Sequence, residues 1–263
     1  MIVCKIQGGL GNQLFQWAFG RNLSLKFDRN LFLDSNFYFN QGSVVRQFSL
    51  NLYNIEINNL DNDAINIMRR SPIKLITDNS TFFELDILNE ENYYLDGYWQ
   101  SEKFFSENEK VILKELRYDS PRMRSIHKGM NFENEQTVSL HFRRGDYVGA
   151  DDFYTTLNNG YYHDALDIIG DYDRVLIFSD DIAWCKENLK FRNMIFSEGL
   201  SNVEDLALMS KCHHNIIANS SFSWWAAKLN ENSNKKIVAP VKWFGPKLDL
   251  DTKDLIPTSW IKI

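Results

Sequence analysis

The feature that most restricts the fold of this 263-residue chain is a regular alternation of short apolar runs with helix-patterned segments between residues 137 and 240. Strand-like runs at 137–142, 174–178, 193–196, 215–218 and 236–240 are separated by helical spacing at 161–169, 182–189, 203–212 and 223–229. Parallel strands need a crossover long enough to hold a helix, so five such strands predict an α/β, doubly wound parallel sheet. Ligands of these sheets lie beyond the carboxyl ends of the strands, where the connections diverge. Chemistry is therefore expected where these runs stop.

The first half of the chain is less regular. Residues 2–7 are β-prone, Gly8-Gly9-Leu10-Gly11 reads as a turn outside regular structure, 13–26 has helical spacing and 30–34 reads as a strand. That is the start of a βαβ unit. Between 36 and 100 the spacing predicts a short helix at 61–68 and a strand at 93–97. The stretch 117–136 is charged, contains Pro121 and Gly129, and has no strand pattern. It separates an N-terminal lobe, 1–130, from a C-terminal lobe, 131–263.

Charge and cysteine content exclude several functions. With 29 Lys and Arg against 35 Asp and Glu, the net charge is −6 and no basic run occurs, so no nucleic-acid partner is expected. Three cysteines without zinc-ligand spacing fit a reduced, cytoplasmic protein. Residues 1–6 are too short an apolar run for a signal segment, and nowhere do about 18 apolar residues run together. Membrane association is expected to be peripheral at most. The triplets Asp61-Asn62-Asp63, Asp171-Tyr172-Asp173 and Asp249-Leu250-Asp251 are not placed to hold a metal at the strand ends, and neither is the pair His213-His214. No metal and no cofactor are expected.

Three polar clusters do fall at strand ends. His141-Phe142-Arg143-Arg144-Gly145-Asp146-Tyr147 puts two permanent cations directly after an apolar strand, where their forks suit phosphate oxygens. Successive residues point to opposite sides, so one arginine is expected to face a ligand and the other to brace the loop with Asp146. A salt bridge at a sheet edge accounts for the same residues equally well. Ser179-Asp180-Asp181 supplies carboxylates for a base or ribose edge, or helix caps. Asn219-Ser220-Ser221-Phe222-Ser223 places hydroxyls and unpaired amides at a helix start, an anion site or an ordinary cap. The N-terminal turn lacks the third glycine of a dinucleotide fingerprint; its glycines either let the backbone approach a ligand, with Asn12 and Gln13 as polar contacts, or form a tight structural turn, and the two readings account for them equally well.

Taken together, Gly8-Gly9-Leu10-Gly11-Asn12-Gln13-Leu14-Phe15-Gln16, Gly97-Tyr98-Trp99-Gln100-Ser101-Glu102-Lys103-Phe104-Phe105, the His141 cluster, Phe178-Ser179-Asp180-Asp181 and Ala218 to Trp225 occur in order over nearly the whole chain. This series resembles the bacterial alpha-1,2-fucosyltransferases of glycosyltransferase family 11. The resemblance implies a GT-B-like fold of two Rossmann-like lobes with a cleft between them, and inverting transfer of L-fucose from GDP-β-L-fucose to O2 of a terminal galactose. It implies that Arg143 and Arg144, with Asp146, are catalytic and grip the departing GDP. His141 and one of Asp180 and Asp181 would contact guanosine. Asn219, Ser220, Ser221 and Ser223 would serve the phosphates, with Gly9, Gly11 and Asn12 approaching from the other lobe. Gln13, Tyr98, Trp99 and Glu102 are acceptor-side candidates. The resemblance further implies GDP-fucose as a co-substrate and a galactose-terminated glycan as acceptor, lipid-linked in surface-polysaccharide synthesis or free. The competing expectations are another GDP-sugar or linkage, and a non-catalytic nucleotide-sugar or glycan-binding protein.

Overall fold

The computed structural model describes residues 1–39, 41, 45–60, 64–66, 70, 72–78, 81–85, 92–132, 134–248 and 250–263. The chain divides into two compact units, Met1–Arg117 with Asp251–Pro257, and Tyr118–Leu250 with Thr258–Ile263.

The first unit contains β1 (Ile2–Lys5), α1 (Leu10–Phe27), β2 (Leu31–Asp34), β3 (Ile73–Thr77), β4 (Asn92–Asp96) and α2 (Glu109–Glu115). Its four strands pair in parallel in the order β2-β1-β4-β3. The helix starts earlier than the spacing predicts. Gly9 is its N-cap and Leu10 and Gly11 form its first turn, because Gly8, at φ +80, alone takes the left-handed conformation the reversal requires. Buried residues surround α1 on nearly every side, including Gln13, Gln16 and Asn22, so it is a core helix and not a surface helix with one apolar stripe. The expected strand at 93–97 is β4. The expected helix at 61–68 falls largely outside the described residues.

The second unit contains α3 (Pro121–Gly129), β5 (Thr137–Phe142), α4 (Asn159–Ile169), β6 (Arg174–Ser179), α5 (Ile182–Asn188), β7 (Met194–Phe196), α6 (Asn202–Lys211), β8 (His214–Ile216), α7 (Ser221–Lys228), β9 (Ile237–Ala239) and β10 (Ile261–Lys262). All five expected strands are present, joined by a two-residue edge strand too short to show a period. The sheet runs β10-β9-β8-β5-β6-β7 with every pairing parallel. All six residues of β5 are buried, as expected of a central strand covered on both faces. The chain moves from β5 outward to β6 and β7, then returns to the other side of β5 for β8. That reversal makes the carboxyl end of β5 a topological switch point, where α/β sheets bind ligands. Helix α3 occupies part of the stretch that carries no strand pattern. Ser120 caps it by accepting from the Met123 N–H, and only Met123 is buried, so no apolar stripe marks it in the sequence.

The pair His213 and His214 lies at the opposite, amino end of this sheet. Their Nδ1 atoms accept from the Thr137 N–H at 3.1 Å and the Lys236 N–H at 2.9 Å. Burial lowers both pKa values, which suits neutral acceptors. Asp173 caps the same end, accepting from the Gln136 N–H at 2.7 Å. Among the described residues, no helix is long and apolar enough to cross a membrane.

Candidate active site

At the carboxyl end of β5 the backbone leaves the sheet at Phe142 and the two arginines follow. His141, still in the strand, is buried against Phe222, with ring centroids 5.4 Å apart. Burial, helped by the nearby Arg143 charge, takes its imidazole down to about 3, so it is neutral. Among the described residues, its buried Nδ1 has no hydrogen-bond partner.

The two guanidiniums are held differently. Arg143 is braced by two carboxylates: Nη1 pairs with Asp180 Oδ2 at 2.6 Å and Nη2 pairs with Asp146. Its Cζ also lies 5.1 Å from the centroid of the Tyr147 ring. Arg144 lies over the Trp184 indole, with Cζ 3.5 Å from the ring centroid, and among the described residues only its Nε meets a carboxylate, Asp181 Oδ2 at 3.4 Å. Among the described residues, neither terminal nitrogen of Arg144 has a hydrogen-bond partner. An open cationic fork backed by an aromatic face can take an anion bidentately. The structure therefore divides the pair into a braced arginine and an open one.

Asp180 and Asp181 are largely occupied by this bracing. Asp180 Oδ1 accepts from the Arg144 N–H at 2.9 Å while its other oxygen holds Arg143. Asp181 caps α5 by accepting from the Trp184 N–H at 3.2 Å. Each acid thus already gives internal support to the arginine loop or to a helix start, with two of a carboxylate's roughly four acceptor positions in use. Gly145 sits so close to this network that a Cβ there would lie 2.5 Å from Asp180 Oδ2.

The third cluster joins the first through neighbouring strands. Tyr147 Oη donates to the Asn219 carbonyl at 3.1 Å, tying the loop after β5 to the start of α7. Several of its polar groups turn inward. Asn219 Nδ2 donates to the Thr155 and Trp243 carbonyls at 2.9 and 2.8 Å. Ser220 is the N-cap of α7, and the buried Ser223 hydroxyl bonds to the Ala218 and Ser220 carbonyls. Ser221, in the first turn of α7, is only half-buried. Direct phosphate contact by Ser223 does not fit its burial.

Two residues that the sequence reading passed over complete this rim. Trp184 lies three positions after the cap Asp181, a spacing that places it under Arg144. Asp205, in the first turn of α6, accepts from Ser197 Oγ at 2.6 Å just beyond β7. Burial raises its carboxyl to about 6 against the opposing Ser197 bond, with Glu204 adding to the rise. The signal available in the sequence is Ser197 itself, which directly follows an expected strand. Among the described residues, no group of three or more His, Cys, Asp or Glu side chains is placed to hold a metal ion.

In the first unit, the acceptor-side candidates separate into buried and accessible groups. Gln13 is fully buried, its amide bonded to the Gly8 and Gln47 carbonyls and the Ser49 N–H. Trp99 is fully buried too, at φ +54, against Phe19 and Phe104. Neither side chain is presented to an acceptor, because core packing and main-chain bonds occupy them. Tyr98 is 43% exposed. Asn12 Oδ1 accepts from Gln100 Nε2 at 2.9 Å, and Glu102 opens the 3-10 helix Glu102–Asn108. Gly9 has open space beside its Cα, while Gly11 is buried within α1.

The sequence profile of glycosyl transferase family 11 matches residues 54–263. The chain belongs to glycosyl transferase family 11. This family 11 glycosyltransferase is 32% identical to the O-antigen biosynthesis glycosyltransferase WbnK of Escherichia coli, over 98% of this chain and 99% of the relative. It is 30% identical to an alpha-1,2-colitosyltransferase of Escherichia coli, over 100% and 99% of the two chains. Its fold is similar to that of the NodZ alpha-1,6-fucosyltransferase co-crystallized with GDP, with a TM-score of 0.53 at 13% identity over 86% of this chain and 91% of that one.

Proposed function

We propose that this glycosyltransferase moves L-fucose from GDP-β-L-fucose to O2 of a terminal galactose, with inversion and without a metal ion. The observation that carries this reading is the open Arg144 fork, stacked on Trp184 at the switch point of the second unit's sheet. In transfer from a sugar diphosphate, negative charge grows on the leaving GDP as the bond to the anomeric carbon breaks. A guanidinium already fixed in place stabilises that charge without reorganising, and can do what a divalent cation does elsewhere. Arg143 adds a second positive charge, held steady by Asp146 and Asp180.

With Asp180 and Asp181 committed to the arginines, Asp205 is the carboxylate that reads guanine. Its Oδ1 is fixed by Ser197, and its second oxygen remains to accept from the N–H edge of the base. His141, neutral and buried, stands at the carboxyl end of β5, two strands from Ser197. On the acceptor side, Tyr98 supplies an aromatic face and the Asn12–Gln100 pair supplies amides for sugar hydroxyls. The linkage follows the α-1,2 relative, and a glycan acceptor in surface-polysaccharide synthesis follows the O-antigen relative. The colitosyltransferase relative also favours a second reading, colitosyl transfer through the same site.

The test supplies GDP-fucose and a panel of galactosides in EDTA, follows GDP release, and determines the product linkage by NMR. The expected result is a fucosyl-α-1,2-galactoside formed at an unchanged rate in EDTA. Asp205→Asn should retain the fold and lose most of the preference for GDP over ADP as a competing inhibitor. A strict requirement for Mg²⁺ or Mn²⁺ contradicts the metal-free mechanism. Binding of GDP-fucose without turnover on any acceptor would favour a non-catalytic role.

A further inference from the structure

Tyr147 is engaged by three separate groups. Its ring lies 5.1 Å from Arg143 Cζ, stacks on Tyr154 with centroids 4.2 Å apart and planes within 9° of parallel, and its hydroxyl donates to the Asn219 carbonyl. These contacts form a closed circuit. Asn219 Nδ2 holds the carbonyls of Thr155 and Trp243, the residues next to Tyr154 and Phe244, and Tyr154 and Phe244 pair in an isolated bridge. The Gly245 N–H donates to the Phe153 carbonyl at 2.8 Å, and a Cβ on Gly245 would lie 2.4 Å from the Asp151 carbonyl. Segments 151–155 and 243–245 thus pack main chain to main chain, with no room for a side chain at Gly245.

Building on the donor chemistry proposed above, we infer that Tyr147 is a positioning residue. It fixes the Arg143 guanidinium and the Asn219 turn at the spacing a nucleoside diphosphate needs, before the donor arrives. Asp146 and Asp180 hold Arg143 by its edges, which leaves its plane free to tilt. The Tyr147 ring limits that tilt from the face. The hydroxyl carries the constraint across to the adjacent strand end, since β5 and β8 are neighbours in the sheet. Binding then loses less freedom at the moment of association, which is how preorganisation raises affinity. Burial keeps the phenol protonated, so the donor to Asn219 persists across the working pH range.

The experiment titrates the full chain calorimetrically with GDP and with guanosine, for the unaltered protein, Tyr147→Phe and Tyr154→Leu. Tyr147→Phe keeps the ring and deletes one hydrogen bond, whereas Tyr154→Leu keeps the hydroxyl and deletes the stack. Each variant is expected to weaken GDP binding about tenfold while guanosine affinity stays within about twofold. In turnover, the donor KM rises and the acceptor KM does not. Wild-type GDP affinity in both variants overturns the inference, and so does an equal loss for GDP and guanosine, which marks general loosening. Should the unaltered protein fail to prefer GDP over guanosine, the diphosphate assignment falls first and this inference with it.

Discussion

Arg143→Ala is expected to lower kcat/KM by on the order of 10²–10³, a loss of about 3–4 kcal/mol in transition-state stabilisation. The substitution does two things at once. On the proposed mechanism it removes a positive charge from beside the leaving diphosphate, and it strips Asp146 and Asp180 of the guanidinium paired with both. Two uncompensated carboxylates would then face an incoming anion, so the change turns attraction into repulsion. Arg144→Ala is expected to be comparable for a simpler reason, since it deletes the open fork itself. Arg144→Lys should recover little, because an ammonium neither lies flat on Trp184 nor offers two parallel donors. Steady-state kinetics at saturating acceptor check these values; rates near those of the unaltered protein for both alanine variants would remove the arginines from the mechanism.

Gly97→Ala is expected to cost about 3 kcal/mol of stability, at the upper end of overpacking penalties, and to raise the acceptor KM while leaving GDP affinity unchanged. A Cβ at this position would lie 2.2 Å from Asp78 Cβ and 2.9 Å from the Asp78 main-chain nitrogen, so backbone and not a pliable side-chain tip stands in the way. Asp78 cannot easily retreat. Its Oδ2 accepts from the Tyr98 and Trp99 N–H groups at 3.0 and 2.9 Å. Those bonds hold Trp99 in a left-handed conformation that is costly for an aromatic residue, with its ring locked in the core. The turn is thereby fixed on both sides, and Tyr98 between the two anchors is the side chain left outward. Thermal melting and separate donor and acceptor titrations measure the effect. An unchanged melting temperature together with an unchanged acceptor KM would contradict this account of the turn.

The second unit's sheet was legible because its central strands β5 and β6 are buried on both faces, and the continuous apolar runs 137–142 and 174–178 stand out between helix-patterned segments. The arginine pair was legible for a related reason: permanent charge directly after such a run needs an explanation. The division of labour around it was not. A sequence shows which residues reach a strand end, but not which of their atoms already have partners. Asp180 and Asp181 look alike in sequence until the first is seen to hold Arg143 and the second to cap a helix at the Trp184 N–H. Ser223 and Gln13 look like ligand contacts until their hydrogen bonds are traced to nearby main chain. Trp184 and Asp205 lacked a motif of their own and acquire meaning only from what packs beside them. Leu10 and Gly11 were misplaced because a glycine-rich run looks uniformly irregular, although one positive φ at Gly8 suffices for the reversal.

The most direct test of the central claim is a calorimetric comparison of GDP and GMP binding to the full chain in EDTA. If the fork on Trp184 and its braced neighbour grip the outer phosphate unaided, GDP should bind at least about tenfold more tightly than GMP, the worth of one good charge-assisted hydrogen bond. Equal affinities for the two nucleotides, or GDP binding that emerges only when a divalent cation is restored, would contradict it.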